Sequence, residues 1–250
     1  GSTCRPKTDS YFARTATSST IRLNMVLIDQ QMPQPSRGIS FPALFALGAL
    51  LALTAELPYG GWVQLPLLAL LWWQISKHQQ LSLKNQFFLG LSFGVGYFVI
   101  GLWWIYISLH DVGGMNILLS AAAVLMLSSY MAVYFALAIL SLKLFKTSKL
   151  TGLLLAASWV LLEFLRGLIF TGFPWMGFAE TQVNGPFAPV APLLGGLACT
   201  FLVVWISWEI YQVKNTKVFS SLCIVLTIAL SSLASVLTFT YPIGEPLEVR

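Results

Sequence analysis

Seven long apolar segments, separated by short polar or turn-forming stretches, constrain the fold of this chain more than any other feature. They lie at residues 41–56, 59–75, 86–109, 115–142, 150–170, 188–212 and 218–239. Most approach the roughly 20 apolar residues with which an α-helix spans the hydrocarbon core of a bilayer. With 57% hydrophobic and 9% charged residues, the chain is too apolar for a soluble globular domain. The expected fold is an all-α integral membrane bundle of about seven transmembrane helices.

The positions of the basic residues predict how this bundle is oriented. Twelve of the fourteen Lys and Arg residues fall in the N-terminal leader or in the loops after the second, fourth and sixth segments. They are Arg5, Lys7, Arg14, Arg22, Arg37, Lys77, Lys84, Lys143, Lys146, Lys149, Lys214 and Lys217. Since basic loops stay in the cytoplasm, the N-terminus is expected inside and the C-terminus outside. The net charge of +5 is thus a topology signal, and no nucleic-acid partner is expected.

A single membrane domain is expected at residues 39–240. The preceding residues 1–38 are polar and offer no core, so they are predicted to be disordered. They are alternatively an extension upstream of a native start at Met25 or Met32.

Two opposite charges interrupt the fifth apolar segment. Glu163 and Arg166 are three residues apart and lie on one face of a helix. A lone charge in hydrocarbon costs roughly 2.5–3.5 kcal/mol on insertion scales, so the two are expected to pair or to face a polar cavity. With a rise of about 1.5 Å per residue and a helix end near Phe170, Arg166 is close enough to snorkel to the surface, whereas Glu163 is too deep.

A turn is expected directly after this helix, in the sequence Thr171-Gly172-Phe173-Pro174-Trp175. The glycine permits a positive φ and the proline holds the preceding residue extended, so the chain turns along the membrane surface. One interpretation is structural: Phe173, Trp175 and Phe178 form an aromatic belt, and the charge pair fixes helix packing. The other interpretation is a lipid-binding site.

The motifs in this region resemble those of the apolipoprotein N-acyltransferases, integral membrane enzymes of bacterial lipoprotein maturation. The resemblance rests on WVLLEFLRG, TGFPW, Gln182 and NGPFAPVAPLLG, in this order between Trp159 and Gly195. A further match is GLWWIYISLHDVGGM, from Gly101 to Met115, which is similar to the GxxWVYVSIxxFGGMP pattern of that family. Together with the surrounding helices, the resemblance covers about residues 40–250.

This resemblance implies an activity and also a missing part. In the family, a nitrilase-like domain outside the membrane carries a Cys nucleophile, a Glu base and a Lys. It moves an acyl chain from a phospholipid, through a thioester, to the N-terminal cysteine of a diacylglyceryl apolipoprotein. Residues 241–250 look like the start of a linker to that domain, so the chain is expected to be truncated and inactive alone. It would act in the bacterial inner membrane as a multi-pass protein.

No residue of this chain is expected to be catalytic, and no metal or cofactor is expected. Cys4 lies in the polar leader, and Cys199 and Cys223 lie inside apolar helices where a thiolate is poorly stabilised. The expected site is a phospholipid entrance, with a cation from Arg166 and an aromatic wall from Trp175. Its residues are Glu163, Arg166, Phe173, Pro174 and Trp175 on one side, with Tyr106, His110 and Asp111 as the opposite rim.

Two other functions stay open. In a small transporter or channel component, Glu163 and Arg166 would line a substrate path, although no inverted repeat or matched pair of broken helices is visible. In a non-catalytic scaffold, the chain would work with a nitrilase-like domain supplied as a separate chain.

Overall fold

The computed structural model describes residues 41–145 and 150–237, which contain helices and no strands. The longer helices are α1 (Phe41–Leu53), α2 (Gly60–Lys77), α3 (Leu83–Gly101), α4 (Ile117–Phe145), α5 (Thr151–Arg166), α6 (Gly196–Gln212) and α7 (Lys217–Ala234). Shorter helical turns lie at Thr54–Glu56, Trp103–Ile107, Ser108–Val112, Ile169–Thr171, Glu180–Asn184, Ala188–Val190 and Ala191–Leu194. The predicted all-α class is confirmed. The predicted leader at 1–38 and linker at 241–250 lie outside the described residues.

The membrane character of these helices differs along the chain. Helices α4 and α7 are each long and apolar enough to cross a membrane, and α3 with residues 103–112 forms a third candidate, bent by 53°. Each predicted apolar segment overlaps one of the longer helices, but α1 has only 13 residues and α5 only 16. Two to three candidate spans are therefore found in the described residues, and seven crossings stay a prediction.

Helix α3 is the centre of one half of the bundle, because it packs against both α1 and α4. A Cβ added at Gly94 would lie 2.8 Å from the Cβ of Ala132, so the two helices approach as closely as a glycine allows. In the other half, α6 packs against α2, α5 and α7, and α5 joins the halves through its contacts with α4.

Aromatic side chains fill the space where these helices meet. The Phe135 ring of α4 lies 4.6 Å from the Trp159 ring of α5 and 4.8 Å from the Phe98 ring of α3, measured between ring centres. Trp159 also contacts Trp72 of α2 at 5.9 Å. Through this aromatic cluster, side chains from α2, α3, α4 and α5 pack against one another close to the turn that follows α5.

Helix α5 ends at Arg166, four residues before the predicted end near Phe170. The N–H of Gly167 bonds to the carbonyl of Glu163, and the chain then leaves the helical direction. The segment 167–177, named here the FPW turn, folds back over the end of α5. The predicted helix end was wrong because the regular α-helix stops at Arg166 and the backbone turns at Phe170 and Thr171, which have positive φ values, before Gly172 and Pro174 are reached.

Candidate functional site

Arg166 fastens the FPW turn to the end of α5. Its side chain is completely buried, with 0% exposure. The Nη1 atom donates hydrogen bonds to the carbonyl oxygens of Phe173 at 2.9 Å and of Trp175 at 2.5 Å. The guanidinium carbon lies 5.5 Å from the centre of the Phe98 ring. Arg166 therefore does not snorkel to the surface, because the chain folds over it and offers backbone carbonyls instead.

Glu163 lies one turn earlier on α5 and has a different partner. Its Oε1 accepts a hydrogen bond from Thr200 Oγ1 of α6 at 3.1 Å. Its Oε2, together with Nε and Nη2 of Arg166, has no hydrogen-bond partner among the described residues. The two side chains line a gap between α4 and α5 that is too narrow for a water molecule. The expected ion pair does not form, because the turn carbonyls and Thr200 compete for both groups.

The FPW turn is strained. Phe170, Thr171 and Met176 have φ values of 54°, 70° and 64°, which for residues with a Cβ cost roughly 1–2 kcal/mol each. Such strain persists only where surrounding contacts impose it. The buried guanidinium supplies one set of contacts, and the carboxylate of Glu180 supplies another by accepting the N–H groups of Met176 and the following glycine, each at 3.1 Å.

The aromatic residues of this region separate into a surface pair and a core residue. Trp175 is 52% exposed, and its ring centre lies 5.4 Å from that of the half-buried Phe173. Pro174 between them is exposed. Phe178 is instead completely buried and stacks on Trp159 with ring centres 5.0 Å apart. An aromatic belt of all three residues is therefore wrong for Phe178, which anchors the turn in the core.

A pair of buried glutamines fixes the segment after the turn against α2. Gln182 Nε2 donates to Gln64 Oε1 at 2.7 Å and to the Gly61 carbonyl at 3.2 Å. Gln64 Nε2 donates to the Phe178 carbonyl at 3.4 Å. Gln182 is part of the motif in the sequence, but no role was predicted for it, and Gln64 was not predicted at all. The signal available in the sequence was the position of Gln64 within an apolar segment.

The predicted opposite rim lies on the bent continuation of α3. His110 Nδ1 donates to the Met115 carbonyl at 2.8 Å, and its Nε2 lies 3.9 Å from Asp111 Oδ1. The Tyr106 ring centre is 5.4 Å from that of His110. An apolar groove of about 300 Å³ runs beside this rim. It is lined by Val99, Trp103, Tyr106, Ile117, Ala121, Val124 and Leu125.

The FPW turn and the rim formed by Tyr106, His110 and Asp111 both lie near the same end of α3, but they are not bonded to each other directly. The side chain of Met176 packs on Gly101, where an added Cβ would lie 2.1 Å from its Cε. Within residues 41–145 and 150–237, no hydrogen bond, ion pair or ring contact links Trp175 to Tyr106 or His110. The FPW turn thus contacts the end of α3 through Met176, and the rim residues follow on the bent continuation of that helix.

Both described cysteines are built into helices. Cys199 is 1% exposed and donates to the Phe187 carbonyl at 3.4 Å, and Cys223 is half-buried in α7. In the described part of the chain, no group of three or more His, Cys, Asp or Glu residues is placed to hold a metal. Cys4 lies outside the described residues.

Residues 47–209 match the family model described as "Apolipoprotein N-acyltransferase N-terminal domain". The chain is similar to apolipoprotein N-acyltransferases from several bacteria. It is 35% identical to that of Pasteurella multocida over 157 residues, which cover 63% of this chain and 29% of the relative. It is 32% identical to that of Ralstonia nicotianae and 34% to that of Shewanella oneidensis, each over 213 residues and 82% of this chain. These alignments cover 41% and 40% of the two relatives, so the chain spans less than half of their length.

Proposed function

Because the chain belongs to the apolipoprotein N-acyltransferase family, we propose that it forms the membrane part of an enzyme that transfers an acyl chain from a phospholipid to the N-terminal cysteine of a diacylglyceryl apolipoprotein. The observation that carries this proposal is the FPW turn. A strained, aromatic turn held by a buried arginine at the end of an apolar bundle is more than helix packing requires. The family match includes this turn.

The phospholipid is proposed to lie against the exposed side of the FPW turn. Trp175 offers a large apolar face with a polar N–H, which suits the boundary between acyl chains and headgroups. Arg166 is enclosed and its Nη1 is used by two carbonyls, so it acts as a positioning residue for the turn. The full proposed site consists of Glu163, Arg166, Phe173, Pro174 and Trp175, with Tyr106, His110 and Asp111 as the facing rim.

The apolar groove beside Tyr106 supports an acyl-chain path in this site. Its lining is almost entirely apolar, and it opens between α3 and α4, at the end of α3 that also receives Met176 of the FPW turn. By contrast, the gap beside Glu163 and Arg166 has no room for water, which does not favour a transport path through the bundle.

The nucleophile is proposed to come from a domain outside residues 1–250, on the same chain or on a separate one. Cys199 is buried against a backbone carbonyl, and Cys223 is half-buried within a helix. Activated thiolates need a nearby cation or base, which an apolar helix does not supply. The bundle is further proposed to cross the bacterial inner membrane several times, with its N-terminus in the cytoplasm.

A chimera tests this function. Residues 1–250 are joined to the part of the Ralstonia relative that follows the matched region, and the gene is expressed in a strain depleted of its own acyltransferase. The expected result is growth together with N-acylated lipoprotein, detected by mass spectrometry. The same chimera with the relative's nucleophilic cysteine replaced by alanine is the control. A chimera that reaches normal membrane levels but produces no acylated lipoprotein contradicts the proposal.

A further inference from the structure

A second polar space lies at the other end of the bundle from the FPW turn. It is a cavity of about 650 Å³, within the range of roughly 300–1,000 Å³ typical of small-molecule sites. Its walls come from the ends of α2, α4, α5, α6 and α7. Because α5 begins at Thr151 on this cavity and ends at Arg166 on the FPW turn, the two sites are one helix length apart. The cavity is therefore separate from the proposed lipid site.

A buried carboxylate dominates the chemistry of this cavity. Glu209 of α6 is 7% exposed. Its Oε2 accepts a hydrogen bond from Ser220 Oγ at 2.7 Å, and Ser220 in turn shares a hydrogen bond with Thr216 at 2.7 Å. No donor reaches Oε1 from the described residues. An ionised carboxylate has about four acceptor positions, so most of the capacity of Glu209 is unused.

Glu209 also has no cationic partner among residues 41–145 and 150–237. No Lys or Arg of the described residues lines the cavity. Two basic residues at neighbouring helix ends have other partners: Lys77 of α2 lies 3.0 Å from the centre of the Trp73 ring, and Lys143 of α4 donates to the Leu81 carbonyl. A buried charge without a counter-ion is strongly unfavourable, so a cation from outside the chain would be favoured here.

The other walls offer further acceptor atoms for a donor. Ser76 Oγ is buried without a hydrogen-bond partner among the described residues, and the side chains of Gln79 and Asn215 add amide oxygens. Trp208 and Tyr211 form an aromatic wall with ring centres 5.2 Å apart, which favours a cation over their faces. An ammonium group has three donors and no acceptor, and it matches this lining.

We propose that this cavity binds a primary ammonium group, with Glu209 as the counter-ion and Trp208 and Tyr211 as the aromatic wall. A divalent metal fits less well, since such ions take several carboxylates and Glu209 is the only carboxylate among the described residues that line the cavity. The ammonium belongs either to a zwitterionic lipid headgroup or to a soluble amine. Lys214 lines a neighbouring cavity that shares Tyr211 and Asn215.

Binding measured by native mass spectrometry on the 250-residue chain in detergent tests this site. The probes are an ethanolamine phospholipid, a glycerol phospholipid with the same acyl chains, free ethanolamine, and potassium ions. The ethanolamine phospholipid is expected to bind the wild type at least about tenfold more tightly than Glu209→Gln, since a charge-assisted bond is lost. The matched control is Glu56→Gln, which removes an exposed carboxylate outside the cavity and should bind like the wild type.

A second variant covers the case in which Glu209→Gln does not fold. Gln212→Lys places an ammonium three residues from Glu209, on the same face of α6, and should abolish binding of the amine while Glu209 remains. Binding of free ethanolamine as well as the lipid assigns the group to a soluble amine, and binding of the lipid alone assigns it to a headgroup. Equal binding of the glycerol lipid or of potassium, or unchanged amine binding by Gln212→Lys, overturns the proposal.

Discussion

Replacing Arg166 by methionine should release the FPW turn while leaving the helices in place. Methionine is of similar length and apolar, so it fills the space without making the two bonds to the carbonyls of Phe173 and Trp175. The N–H groups of Gly172 and Phe173, which bond to the carbonyls of Ile169 and Arg166, report on the turn. Their hydrogen exchange measures how often it opens.

The expected size of this effect follows from the bonds that Arg166 makes. An average hydrogen bond between membrane helices contributes only about 0.6 kcal/mol, but a bond from a charged donor contributes about 1.5–3 kcal/mol. Two such bonds give about 3–6 kcal/mol, and each 1.4 kcal/mol is a factor of ten. Because Nε and Nη2 of Arg166 are buried without partners, part of this gain is offset, and we expect the lower end. Exchange should accelerate at least roughly 100-fold.

Hydrogen–deuterium exchange on the 250-residue chain in detergent provides the measurement. The N–H of Gly113, which bonds to the Ser108 carbonyl, is an internal reference and should be unaffected. Leu161→Met, on the exposed side of α5, is the matched control variant. Acceleration of less than tenfold at Gly172 and Phe173 would refute the assignment of Arg166 as the residue that holds the turn.

Three further predictions concern the whole bundle. A reporter active only in the periplasm should work when fused after Asp111 and fail after Lys146; activity at Lys146 contradicts the orientation. Labelled phospholipid should leave no thioester on the isolated chain, and label on Cys199 would show that the bundle carries its own nucleophile. Gly94→Ala should destabilise the α3–α4 contact by about 1–3 kcal/mol through overpacking. The control variant Ala122→Leu, on the exposed face of α4, should not destabilise this contact. The stability of both variants is measured by unfolding in mixed micelles.

The fold class was predictable because, in a membrane protein, long apolar segments indicate directly which parts of the chain are helices. The site was predictable only in outline. The spacing of Glu163 and Arg166 placed them on one face, but it did not reveal that backbone carbonyls and Thr200 would be their partners. Those carbonyls arrive through a left-handed turn, which helical periodicity does not encode.

Burial of single residues in loops was harder still to predict. Phe178 follows two aromatic residues of the FPW turn and looks like a third belt residue, yet it is stacked on Trp159 in the core. The cavity around Glu209 was missed because it is formed by five helix ends that are distant in sequence. A Glu three residues before the end of an apolar segment was the signal available, since an ionisable group inside a membrane helix points to a function.

The most direct test of the proposed lipid site is acyl transfer by the purified chimera carrying Trp175→Ala, with phospholipid concentration varied. Trp104→Ala is the matched control, because Trp104 is similarly exposed and lies outside the FPW turn. We expect Trp175→Ala to raise the KM for phospholipid about 5- to 140-fold, as for loss of an aromatic contact of about 1–3 kcal/mol, with normal membrane levels and thermal stability. Trp104→Ala should leave the KM unchanged. An unchanged KM in Trp175→Ala, or activity lost only in proportion to folded protein, would contradict the account.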